Sequence, residues 1–177
     1  MREILFKGKD KDDGNWYEGY YLQLHDTTYC CLPSDSVEEA NRLNKENEHH
    51  YIVFEQMTDW GLPNKHLRAE VLPETVCQYT GLTDENGRNI FEGDIVKATL
   101  LPYKKDRYSI GYIVFERGTF KVYITKSVHE RVYTEYAGED VKTYSIENNF
   151  LNRGYVLEVI GNIFDNPELL EVENEID

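Results

Sequence analysis

The stretch from Leu72 to Lys97 constrains this chain more than any other. It reads Leu-Pro-Glu-Thr-Val-Cys-Gln-Tyr-Thr-Gly-Leu-Thr-Asp-Glu-Asn-Gly-Arg-Asn-Ile-Phe-Glu-Gly-Asp-Ile-Val-Lys. From Thr75 to Leu82, β-branched and aromatic residues occur at strand density. Asp84-Glu85-Asn86-Gly87 follows as a hairpin turn, in which Asn86-Gly87 suits positive φ at both central positions. Ile90 and Phe91 begin a return strand, Glu92-Gly93-Asp94 turns again, and Ile95 to Leu101 makes a third strand.

The rest of the chain continues this pattern. Residues 3–8 and 16–24 read as a first hairpin, turned by a polar run ending in Asp13-Gly14-Asn15, where Gly accepts positive φ without penalty. Gly19, inside the aromatic strand Trp16–Leu22, marks a bulge or a close approach of another backbone. Ser36 to Asn47 is the best internal helix, with Ser36 and Glu39 as a capping box and Val37, Ala40 and Leu43 as a thin apolar stripe. A mobile excursion over residues 33–50 is the competing reading. Strands are expected at Tyr51–Phe54, Tyr108–Phe115, Phe120–Thr125, Val141–Ile146 and Tyr155–Phe164, with Arg117-Gly118 turning the second of these into the third. Residues 126–140 extend this meander with unclear boundaries. Asn166 caps a short helix with Pro167 at its first position. The tail from Glu168 to Asp177 is acidic and without bases.

Many short strands and few helices make a mainly β, antiparallel barrel or sandwich. A soft boundary near residues 66–71 divides residues 1–70, β hairpins with a helical or mobile excursion, from residues 71–177, a β-barrel region with an acidic tail.

The chain has 33 acidic against 19 basic side chains and a formal charge of -14. Such a surface repels nucleic-acid phosphates and anionic membranes, so direct nucleic-acid binding is not expected. Mimicry of a phosphate backbone, occupying a DNA-binding partner, is the sharper reading of the same charge. Three cysteines, Cys30, Cys31 and Cys77, without a disulfide framework fit a reducing compartment. No apolar run reaches signal-peptide or membrane-span character, so a cytoplasmic protein is expected.

Each candidate site has a structural explanation that fits better. Glu92 and Asp94 flank Gly93, and a strand-turn role for them fits better than a catalytic carboxylate pair. His49 and His50, with His25, His66 and His129, suggest metal ligands. However, adjacent residues of a strand point to opposite faces, and Cys30-Cys31 shares the problem. Cys77 reads as a buried small hydrophobe. Trp16, Tyr17, Tyr20, Tyr21 and Tyr79 could stack single-stranded bases, but the nearby cations are only Lys7, Lys9, Lys11 and Arg88. Core packing and subunit contacts suit these rings better. Lys104-Lys105-Asp106-Arg107 reads as a solvated loop tip. With no phosphate loop, nucleophile triad or zinc pattern, no catalytic, cofactor or metal residue is assigned.

Three segments together resemble the YopX family of phage and prophage proteins. They are Arg2–Lys9 with Gly14–Tyr20; Gln78–Leu82 with Glu92–Val96; and Val159–Leu170. Cys77 stands where the family pattern has Gly. The resemblance implies a β-rich fold with a small SH3-like barrel around the central segment, and an oligomer, in particular a hexamer. It supplies no biochemical activity. The expectation is a self-assembling, non-enzymatic binding protein acting on itself and on a host or phage protein. The alternatives are an acidic decoy for a host DNA-binding protein and a cryptic enzyme acting on nucleotides.

Overall fold

The computed structural model describes residues 3–29, 37–100, 108–128, 143–145 and 155–171. The chain forms two compact units, Glu3–Gln78 and Tyr79 onward, and the division falls inside one strand. Residues 66–71, where a soft boundary is expected, instead continue the first sheet.

In the first unit, β1 (Phe6–Lys9) and β2 (Trp16–His25) form the expected hairpin, in register Phe6↔Gly19 to Lys9↔Trp16. Its turn takes positive φ at Gly14. A ten-residue helix, α1 (Val37–Glu46), then leads into β3 (Glu48–Gln56) and β4 (Lys65–Glu70). The helical reading of this segment holds, although Val37 is exposed and only Ala40 of the stripe is buried. The Ser36 cap lies outside the described residues. The sheet order is β4-β3-β2-β1, and β1 pairs on its other side with the start of β5 (Cys77–Thr83) through Lys7↔Cys77 and Phe6↔Gln78. Gly19 is required where β2 meets β3, since a Cβ there would lie 2.2 Å from the Val53 carbonyl oxygen. Alternation gives this sheet one buried face, built from Ile52, Ala69 and Val71 with Phe6, Tyr17, Tyr21, Phe54 and Val76.

In the second unit, the rest of β5 pairs with β6 (Asn89–Phe91). A five-stranded antiparallel sheet follows in the order β10-β9-β8-β7-β11, from β7 (Asp94–Leu100), β8 (Tyr108–Glu116), β9 (Thr119–Val128), β10 (Thr143–Ser145) and β11 (Tyr155–Asn162). Ile90 of β6 joins Val96, Ala98, Ile113, Val122, Leu157 and Val159 in one core. Each Ile, Val or Leu among them contributes roughly 1.5–3 kcal/mol on full burial. The β5–β6 hairpin and the five-stranded sheet therefore share a core. Among the described residues the strands form open antiparallel sheets, without the closed barrel expected around the central segment.

Two turn expectations are corrected. The paired positive φ angles occur at Arg117 (54°) and Gly118 (79°), the two-residue link between β8 and β9, and not at Asn86-Gly87. Asn86 is not in the left-handed region. The β5–β6 connection closes one residue later, with the Asp84 amide donating to the Arg88 carbonyl and only Gly87 at positive φ. The Asp84 carboxylate accepts from the Asn86 and Arg88 amides within that loop. Second, Pro167 does begin a short 3-10 turn, Pro167–Leu170, but the Asn166 side chain does not cap it. Asn166 Oδ1 turns back to accept from the Asn162 amide at 3.4 Å, against the bulge at Gly161.

Candidate functional site

The carboxylates of the opening stretch are anchored to backbone. Gly93 takes a φ of 75° and exchanges bonds with Ile113 and Ile163, donating to the first and accepting from the second, both at 2.9 Å. Asp94 is 1% exposed, and its Oδ2 accepts from the Phe91 amide at 2.8 Å. Glu92 Oε1 reaches the Phe115 amide of β8 at 3.4 Å. The two carboxylates thus serve different strands, as the turn reading requires.

Asp84 is a structural carboxylate that pattern reading saw only as a turn residue. Its Oδ1 accepts from the amides of Asn86 and Arg88, both at 2.8 Å, and its Oδ2 from the Val159 amide at 3.2 Å. Burial pushes its pKa up, but the amides of Arg88, Val159 and Asn86 outweigh that and hold it below the ordinary range. Asp-Glu-Asn-Gly is the local signal; the partner 75 residues away had none.

The histidines divide between the two faces of the first sheet. His49 Nδ1 meets Glu70 Oε1 at 2.8 Å and its Nε2 meets Asp26 Oδ2 at 3.2 Å. Glu70 also pairs with Lys11. The hydrogen bond to Glu70, with the Asp26 charge, raises the His49 pKa above its ordinary value. The bonds from His49 and Lys11 lower that of Glu70. On the opposite face, His50 Nδ1 lies 2.6 Å from the Tyr21 hydroxyl and its Nε2 lies 2.8 Å from Glu48 Oε1. His25 approaches Glu48 at 3.9 Å, and His66 pairs with Glu55 at 3.3 Å. His129 lies outside the described residues. The His49–Glu70, His50–Tyr21, His25–Glu48 and His66–Glu55 pairs join neighbouring strands, and among the described residues no group of three or more His, Cys, Asp or Glu side chains is arranged to hold a metal ion.

The aromatic residues of the imagined stacking platform do not share one surface. Tyr17 stacks on Phe54 at 5.0 Å and Tyr21 lies 5.4 Å from Phe6, both on the core face. Lys7 lies over Trp16 at 5.0 Å on the other face. Tyr79, in the second unit, packs 5.5 Å from Phe91. Cys77 is buried and donates to the Thr75 carbonyl at 3.2 Å. Cys30, Cys31 and the run Lys104–Arg107 lie outside the described residues.

Among the described residues, the outer face of the first sheet carries exposed apolar side chains. The register Tyr20↔Val53, Leu22↔Tyr51 and Leu24↔His49 aligns these side chains on one side, with Arg68 over the Tyr51 ring at 4.7 Å. Tyr20, Leu22 and Leu24 are 59%, 42% and 40% exposed. At the β3–β4 loop, Met57, Trp60 and Leu62 are also exposed.

A family model described as YopX protein matches residues 5–171. The chain belongs to the YopX family. A crystal structure of protein EF1440 from Enterococcus faecalis is similar at 23% identity, covering 97% of this YopX chain and 100% of that chain, with a TM-score of 0.43. Comparison with curated proteins finds no match. No helix among the described residues of this YopX protein is long and apolar enough to cross a membrane.

Proposed function

We propose that this YopX protein is a phage- or prophage-derived binding protein that works by self-assembly and not by catalysis. The observation that carries this reading is the exposed apolar row Tyr20-Leu22-Leu24 on a sheet whose other face is already a core. Exposed apolar side chains clustered on one face and rimmed by polar residues mark interaction surfaces. Interfaces favour aromatic and Arg side chains, and Tyr20, Tyr51 and Arg68 lie on this face. The titratable clusters support the non-catalytic part, because their carboxylates and imidazoles are engaged in ion pairs and hydrogen bonds between strands and loops.

The expected SH3-like barrel belongs to the same proposal. The β5–β6 hairpin and the five-stranded sheet, sharing the core around Ile90 and Ile113, would be its two halves. Size-exclusion chromatography with light scattering tests assembly. A mass several times the 20.8 kDa of one chain is expected, with Leu22→Glu/Leu24→Glu shifting it toward 20.8 kDa without loss of β circular dichroism. A monomeric wild-type chain at micromolar concentration overturns the reading.

A further inference from the structure

Strand β4 is the edge of the first sheet, and Lys65, His66, Leu67 and Arg68 are all exposed. Its hydrogen-bonding direction follows from two bonds. The Val71 amide donates inward to the His50 carbonyl at 2.8 Å, and the Lys11 amide reaches the outward-facing Glu70 carbonyl at 3.0 Å. In an antiparallel ladder these directions alternate, so the backbone groups of His66 and Arg68 also point away from β3. No backbone bond among the described residues takes them. They form a short template for one more strand.

The side chains on this edge specify what that strand should carry. His66 and Arg68 lie on the face of Tyr51, whereas Leu67 and Ala69 lie on the core face beside Phe54 and Ile52. In a protein of formal charge -14, Lys65, His66 and Arg68 gather three basic side chains within four residues. A matching strand would alternate acidic residues, facing His66 and Arg68, with apolar residues extending the core beside Leu67.

The chain contains such a segment. With the period of an extended strand, Glu171-Val172-Glu173-Asn174-Glu175-Ile176-Asp177 carries Glu171, Glu173, Glu175 and Asp177 on one side, and Val172 and Ile176 with Asn174 between them on the other. We propose that this acidic tail of one copy adds as a strand to the β4 edge of a second copy. The inference rests on the self-assembly reading and names the contact. Because the contact joins different surfaces of the two copies, repetition closes into a ring or continues as a filament. Edge charges often serve only to discourage aggregation, and the test separates that role from docking.

The wild-type chain, a chain ending after Glu171, and the full chain with Arg68→Glu are compared by light scattering. The truncation removes none of the described strands, and its β circular dichroism is compared with wild type to check the fold. Wild type is expected to assemble, with each variant alone showing a smaller mass than wild type, because only the contact through the Tyr20-Leu22-Leu24 face remains. Mixed, the two variants should regain mass, since one retains the edge and the other the tail. Added salt should reverse that gain. If wild type assembles and the truncated chain assembles equally, the tail contact is refuted while self-assembly stands. If wild type is monomeric, both fall. If mixing the two variants adds no mass beyond that of either alone, exchange between copies is refuted.

Discussion

Removing the Asp84 carboxylate should unsettle the second unit more than any other single change in its loops. The carboxylate accepts three amides, two from its own turn and one from Val159 of β11. Hydrogen bonds to a charged group contribute about 1.5–3 kcal/mol each, and orphaned buried donors cost a similar amount. Asp84 is 7% exposed, so water does not readily replace it. Counting the Val159 amide in full and the two half-buried turn amides in part, Asp84→Ala should cost about 3–5 kcal/mol. Asp84→Asn keeps an oxygen for the turn but aims an amide at the Val159 N–H, and should cost about 2 kcal/mol. The folded pKa lies below the ordinary value, so the ionised form stabilises the fold above the unfolded pKa near ~3.9, and this contribution is lost as pH falls through the folded pKa. The gap between wild type and Asp84→Asn should therefore be constant from neutral to about pH 5 and narrow below that. Urea unfolding followed by circular dichroism, with hydrogen exchange of β6, β7 and β11, measures both effects. A loss under ~1 kcal/mol for Asp84→Ala, or a gap indifferent to acid, would refute the role assigned to this carboxylate.

Gly19→Ala and Gly111→Ala each drive a Cβ to within 2.3 Å or less of a carbonyl oxygen on the neighbouring strand, and should cost about 1–3 kcal/mol or more by thermal melting. A change within ~0.5 kcal/mol would contradict the close strand approach. His49 should titrate above an ordinary histidine by NMR, and Glu70→Gln should return it toward the ordinary value. Since the folded pKa is raised, the His49 contribution is present below the unfolded pKa of ~6.5 and is lost as pH rises through the folded one. Arg117→Gly should be neutral or stabilising by up to ~1 kcal/mol, because Arg117 holds a positive φ that glycine adopts freely.

Local chemistry made much of this fold legible in the sequence. Alternation located the β1–β2 hairpin, and the Gly-containing turns separated β5, β6 and β7. Gly19 was readable as either a bulge or a close approach, and the register with β3 decides for the close approach. The competition between side chains for backbone amides was not legible. Asp84 and Asn86 are both turn formers, and only the three-dimensional position of Val159 decides that Asp84 organises the loop. Asn166 likewise reads as a cap, but the bulge at Gly161 brings the Asn162 amide closer to it. The opposed faces of His49 and His50 followed from strand geometry alone. Their partners Glu70 and Tyr21, on other strands, depended on register.

Sedimentation equilibrium of the unmodified chain across the micromolar range tests the central claim, self-assembly, most directly. The exposed Tyr20-Leu22-Leu24 face and the open β4 edge lead us to expect a mass several times 20.8 kDa that falls on dilution. A constant 20.8 kDa throughout would contradict it.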